Sequence, residues 1–380
     1  MINSKNDYFT KLSSKTALES RGSKQYWNII KSLMNYDSTD IRSIPPLQVD
    51  GDLICDYKEK AKIFNDFFCN QSDLDDTNIL TPNIFLRQQG SLGHIVITEN
   101  EVEDILKFLD ISKASGPDHA VSPRLLKEAT QILKSPLCRL FNLSLRTGIV
   151  PTNWKCANVT PIFKKDSPSN NKNYRPISLI SVIGKVMERC VFKHIHNYLL
   201  ENNIIINNQS GFTKGDSAIY QLINITNDFG KALDEGKEVR VIFCDISKAF
   251  DRVWHRGLLK KLESIGISGS LLDWVQNYLS GRKQRVVINN ASSDWGFIKA
   301  GMPQGSILGP LLFIIFLNDI VIDIQSTIKL FADDTSLYLI IDNPQTTADI
   351  LNRDLDKIHT WSTNWLDSFN PQKTEAMTIS

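Results

Sequence analysis

Helical and strand-like spacings of apolar residues alternate along most of this 380-residue chain. Tyr57, Ala61, Phe64, Phe67 and Phe68 recur on one helical face, which predicts an amphipathic helix over 52–70. An earlier helix is predicted near Lys24 to Met34, ending before Ile44-Pro45-Pro46, and 71–94 reads as a loose acidic connector. Thr98 and Glu101 have capping-box spacing, so a helix should start there and run through Leu109. Helices follow at about 122–134 and 136–147, where Gly148 and Pro151 stop the pattern, and a long one at 181–200. Asn158 to Phe163 and Val239 to Ile246 read as strands, the second buried. Helices are predicted over 256–265 and 269–279, and Arg285 to Ile288 can pair with Trp295 to Ala300. Gly301 to Gly305 is a glycine-bounded turn opening a helix to about Asn318. Its apolar run, Ile307 to Leu317, is too short to span a bilayer and reads as a buried helix. A hairpin over 328–341 and an amphipathic helix over 346–368 complete the pattern.

The hairpin holds the first chemical signal. Asp333 and Asp334 sit at its turn between two apolar, β-prone runs. Like charges about 4 Å apart repel by roughly 4 kcal/mol at an effective dielectric near 20, so such a pair implies a bound cation, with hard divalent ions first. Asp75-Asp76 is also a doublet, but in a polar loop without flanking strands, and reads as solvated surface. A third acid, Asp245, ends the strand Val241-Ile242-Phe243-Cys244. It could instead cap a helix starting near Ser247. Together the three carboxylates could hold two divalent ions for an in-line phosphoryl displacement.

Composition is that of a globular chain of two or three domains, 42% apolar and 22% charged. Net charge is only +1, but residues 160–195 carry seven bases against two acids. Further basic clusters lie at Lys248, Arg252, Arg256, Lys260 and Lys261, and at Arg282, Lys283 and Arg285. Such patches bind phosphates or simply form solvated faces. The six cysteines form no C-x-x-C pair and the six histidines no ligand spacing, with His194 and His196 read as surface. Reduced thiols and an N-terminus without a signal-peptide core lead us to expect an intracellular protein with no membrane span.

Three motifs occur in order: Asp245-x-x-Lys248-Ala249-Phe250-Asp251, then Gly301-x-Pro303-Gln304-Gly305-Ser306-x-Leu308-Gly309-Pro310, then Phe331-Ala332-Asp333-Asp334. They resemble motifs A, B and C of reverse transcriptases, in the variant of jockey-like non-LTR retrotransposons. Asn173-Tyr174-Arg175-Pro176-Ile177-Ser178-Leu179 resembles the fingers motif, and Gln209-Ser210-Gly211-Phe212 the family's Q-x-G-F segment. Asn370-Pro371-Gln372-Lys373-Thr374 is similar to motif D, and Lys113-Ala114-x-Gly116-Pro117-Asp118 to the segment before the fingers. The likeness covers about residues 95–380.

The resemblance implies an α+β right-hand polymerase fold. A helical extension or linker over 1–94 would precede fingers over 95–235 and a palm over 236–380, an antiparallel sheet backed by helices. It implies RNA-directed DNA synthesis with two Mg²⁺ ions, Mn²⁺ substituting, on an RNA template with a DNA primer or target and dNTPs. Asp245 and Asp333 would be the principal metal ligands, with Asp334 supporting them. Phe250 would be the steric gate against a ribose 2′-hydroxyl. Lys165, exchangeable with Lys164, and Arg175 would hold the triphosphate. Gln304 and Gly305 would line the nascent base pair, and Lys373 would protonate or neutralise the departing pyrophosphate, though a surface lysine would also fit that position. The family's primer grip and thumb follow motif D, whereas this sequence stops at Ser380, and 94 residues are too few for the endonuclease that usually precedes the polymerase. The expectation is therefore a fragment with the thumb missing. The rival reading is a catalytically idle remnant that only binds RNA.

Overall fold

The structure is a computed structural model describing residues 44–84, 90–118 and 121–380. The helix expected near Lys24 to Met34, and His119, lie outside the described residues. The chain divides into two compact units. The smaller comprises residues 1–55 and 166–170. Its described part is a hairpin, β1 (Leu47–Val49) and β2 (Asp52–Ile54), turning at Asp50-Gly51 with both φ angles positive, as a type I′ turn requires. Gln48 N donates to Ser169 O at 2.9 Å.

The larger unit opens with α1 (Tyr57–Gln71), not at residue 52, because 52–54 is strand and Asp56 is the cap, accepting from Glu59 N. Ala61, Phe64 and Phe68 are buried as the spacing predicts, whereas Tyr57 is exposed. α2 (Glu99–Lys107) carries the reciprocal capping box of Thr98 and Glu101. The next two helices are α3 (Pro123–Glu128) and α4 (Thr130–Thr147), broken at Ala129 and not before Pro136, which lies inside α4. A proline inside a helix costs about 3 kcal/mol. The stripe Leu137, Phe141 and Leu145 stays in phase through it, and burying those side chains outweighs the lost backbone bond.

Strands β3 (Cys156–Phe163) and β4 (Tyr174–Ile180) pair antiparallel, and the long helix α5 (Val182–Glu201) follows. Helix α6 (Ala218–Asp234), which the sequence reading did not foresee, leads into β5 (Glu238–Asp245). The short α7 (Ala249–Arg252), then α8 (His255–Ser264) and α9 (Gly269–Leu279), connect to β6 (Arg282–Ile288), β7 (Ala291–Ser292) and β8 (Gly296–Ile298). Helix α10 (Leu308–Leu317) is buried at every position but Pro310. The hairpin of β9 (Thr327–Phe331) and β10 (Asp334–Ile341) precedes α11 (Pro344–Asn364), and β11 (Glu375–Ile379) closes the chain.

This mixed helix-and-sheet architecture contains two larger sheets. One, in the order β11-β5-β10-β9, is antiparallel throughout. Strand alternation sends Ile242, Cys244 and Leu337 into the main core around α10, and Val239, Val241 and Tyr338 toward α6. The other sheet runs β4-β3-β6-β7, with β8 also on β6 and β3 parallel to β6. No helix among the described residues is long and apolar enough to cross a membrane.

Several charges read as surface prove internal. Lys261 is 2% exposed, its Nζ 2.5 Å from both Asp319 Oδ1 and Phe316 O, beneath the rings of Phe316, Trp361 and Trp365. Arg282 is equally buried, donating to Tyr278 O and lying over that residue's ring. Asp76 is not simply solvated. It accepts from the Trp254 indole at 2.7 Å and from Arg256, tying the acidic connector to the body. His194 lies 3.1 Å from Glu101 and is not free surface. All six cysteines are free.

Candidate active site

Strand register builds the site. Asp334 is the direct cross-strand partner of Asp245, and the pleat puts both carboxylates on the face of the sheet turned toward α6. Ala332 and Asp333 make the two-residue turn of the β9–β10 hairpin, with Ala332 at φ 55°. The three acids thus meet at one end of the sheet. Asp333 is held above the usual carboxylate range by burial first, then by the charges of Asp334 and Asp245, with Arg175 acting the other way. Asp334 is raised by burial and by Asp245, against the pull of Lys373 and Lys164. This crowding makes the site a natural place for positive charge.

Lys373 supplies one such charge. Asn370 N donates to Asp245 O, and the Asn370 side chain caps a 3₁₀ turn over Pro371–Lys373. The turn brings Lys373 Nζ to 2.6 Å from Asp245 Oδ2. Beside it an apolar groove of about 700 Å³ runs along Ile225, Phe229, Phe243 and Phe331 to end at Asp245, Asp334 and Lys373.

The cationic wall comes from β3 and β4. Lys164 N donates to Asn173 O, closing the loop between them. The Lys164 ammonium is pushed down by burial, then by Arg175 and Lys373, while Asp245 opposes this. The Lys164 charge in turn pulls on Asp334. Arg175, on β4, completes the wall, and Ser178 on the same strand receives the glycine turn: its N–H donates to Gln304 O at 2.8 Å. Gly305, at φ 129°, lies so close that a Cβ would sit 2.6 Å from Ser178 O. Only glycine lets the turn seat against this strand.

Residues 162–379 match the family model described as reverse transcriptase (RNA-dependent DNA polymerase). The chain belongs to the reverse transcriptase family. It is 30% identical over 295 residues to the probable RNA-directed DNA polymerase from transposon BS of Drosophila melanogaster, covering 75% of this chain and 32% of that protein. It is 32% identical over 302 residues to the RNA-directed DNA polymerase from mobile element jockey of Drosophila melanogaster, covering 77% and 33%. The counterpart from Drosophila funebris is 31% identical over 293 residues, covering 75% and 32%. The jockey-like resemblance read from the motifs is borne out, and the chain spans about a third of the length of the curated relatives it matches.

In this reverse transcriptase chain the donor set at the sheet end consists of carboxylate oxygens, which suits a hard divalent ion. Among the described residues, however, no three acidic, histidine or cysteine side chains converge to hold a metal ion as they stand, and Lys373 takes one oxygen of Asp245. Phe250 stands in the next layer, half-buried and stacked on Phe313 with ring centroids 4.5 Å apart. Glu188 anchors the buried helix from below, accepting from Ile307 N, Leu308 N and the Tyr278 hydroxyl at the N-terminus of α10.

One residue of the site went unassigned in the sequence. Asp251, next to Phe250, accepts from Gln304 Nε2 at 2.8 Å and links two motifs 53 positions apart. Burial raises its carboxyl to about 6, with Gln304 and Lys248 opposing. The folded carboxyl holds its proton more tightly than an unfolded one, so its contribution favours folding below about pH 4 and is lost as pH rises to about 6. Asp251→Asn keeps an acceptor for Gln304. We expect it to raise Tm at pH 7 and to change it little at pH 4. Thermal denaturation at the two pH values checks this, and equal shifts at both would refute it.

Proposed function

We propose that this chain carries the active site for RNA-templated synthesis of DNA, adding dNTPs to a primer 3′-hydroxyl. The carrying observation is the meeting of Asp245, Asp333 and Asp334 at one sheet end beside Lys164, Arg175 and Lys373. Asp245 and Asp333 would hold Mg²⁺, with Asp334 in support. When bound, the ions would lower the pKa of the attacking hydroxyl and balance charge on the leaving phosphate. Lys164 and Arg175 orient the triphosphate, with Lys165 at its solvent side. Gln304 and Gly305 line the nascent base pair. Lys373 leaves Asp245 to neutralise the departing pyrophosphate. The antiparallel sheet and its helices would form the palm within 236–380, with fingers over 95–235 and a linker over 1–94. An RNA–DNA hybrid would be gripped through backbone charge and A-form shape.

Extension of a DNA primer on poly(rA) with dTTP and Mg²⁺ tests this reading. Extension is expected. Its absence, with salt-sensitive RNA binding retained, would instead support a remnant that only binds RNA. The gate assignment has its own test. Phe250→Ala opens space at the sugar and should raise ribonucleotide use relative to dNTP by about 10- to 100-fold. Single-nucleotide incorporation with rUTP and dTTP measures it, and unchanged discrimination would remove Phe250 from the role.

A further inference from the structure

We propose that Gln209–Phe212 is a positioning element that fixes both the turn carrying Asp333 and the ring of Phe250. The inference rests on the polymerase reading for its kinetic consequences, while the geometry stands independently. Residues 208–210 lie along the free edge of β9. Ser210 N donates to Leu330 O at 2.9 Å, and Leu330 N to Asn208 O at 2.8 Å. This brings the side chain of Gln209, 4% exposed, under the hairpin turn. Its Oε1 accepts from Gly211 N at 2.7 Å and from Ala332 N at 3.0 Å.

Ala332 needs that bond. It sits in the left-handed region at φ 55°, which costs an L-residue roughly 1–2 kcal/mol. Asp333 is the next residue, so holding the Phe331–Ala332 amide steadies the backbone from which its carboxylate projects. Gly211 makes the approach possible, since a Cβ there would lie 2.2 Å from Ala332 N. The glycine of this segment is thus a contact requirement against the turn itself.

The chain then presents Phe212, also at positive φ (57°). Its ring meets Phe250 edge-on, with centroids 5.8 Å apart at 84°, while Phe313 stacks on Phe250 within the core. Phe212 is 53% exposed, so burial does not explain its placement. Phe313 sets the depth of Phe250, and Phe212 limits its sideways swing. One four-residue segment therefore touches the turn bearing a catalytic carboxylate and the proposed sugar gate.

Two variants of the full chain test the element. Gln209→Met keeps the volume and removes the acceptor. It should accelerate amide hydrogen exchange at the 332–333 turn and lower kcat by about 10²-fold, with the KM for dTTP nearly unchanged. Phe212→Ala should raise rUTP use relative to dTTP by about tenfold, and Phe212→Tyr should retain wild-type discrimination. Unchanged exchange at the turn in Gln209→Met overturns the inference. So does wild-type sugar discrimination in Phe212→Ala when Phe250→Ala alters it. If the wild-type chain extends no primer, the polymerase reading fails, and the exchange measurement still decides whether Gln209 holds the turn.

Discussion

Replacing Asp333 with asparagine is expected to lower primer extension about a thousandfold while leaving the protein at least as stable as wild type. The two effects have one cause. The Asp333 carboxylate is partly buried and faces the charges of Asp334 and Asp245, so its ionised form is disfavoured in the folded state. A raised acid contributes stability at low pH and loses it as pH rises through its folded pKa. Asparagine removes that loss, so a gain in Tm should appear at neutral pH and shrink in acid. It also removes the negative charge that would hold a metal ion. Extension on poly(rA) and thermal denaturation at pH 7 and pH 4 read the two effects separately. Retained extension would remove Asp333 from the catalytic set. Lost extension with a lower Tm at pH 7 would mean that the turn depends on the carboxylate for its structure.

Lys261→Met is expected to cost about 3–5 kcal/mol of folding stability, the largest structural effect we foresee for a single substitution. Lys261 on α8 joins Asp319, just beyond α10, and lies under Trp361 on α11 and Trp365 beyond it. Burial pulls the ammonium below its ordinary range, but Asp319, the Phe316 carbonyl and three aromatic faces all surround a cation. Removing the lysine leaves Asp319 buried with, among the described residues, only the Trp361 indole donating to its carboxylate. The double variant Lys261→Met, Asp319→Leu should recover most of the loss, since it is the uncompensated charge that costs. Chemical denaturation midpoints of the two variants decide the matter, and equal destabilisation would show that packing and not charge is at stake.

Much of the local structure was legible because it depends on neighbours in sequence. The capping box at Thr98 and the buried run of α10 form as their spacing predicts. The Asp333 hairpin does too, at a period of two residues. Pro136 misled because its local cost is outweighed by burial of a stripe that only the packed helix reveals. The 52–54 strand was hidden by the helical phase of the phenylalanines after it, although Asp50-Gly51 carried the hairpin signal. β11 was missed because its residues, mostly exposed, alternate weakly and find their partner 132 positions away in β5.

The sequence by itself determined the family and singled out the candidate acids, because Asp245, Gln304 and Asp333 lie in short segments whose residue types and order are specific. Tertiary structure alone decided which charge meets which. It paired Lys373 with Asp245. It withdrew Lys261 and Arg282 from the surface and set Gln209 beneath Ala332. A charged letter carries its sign but not its solvation. Desolvation and partner choice depend on contacts between residues dozens to more than a hundred positions apart, and those exist only once the core around α10 has formed.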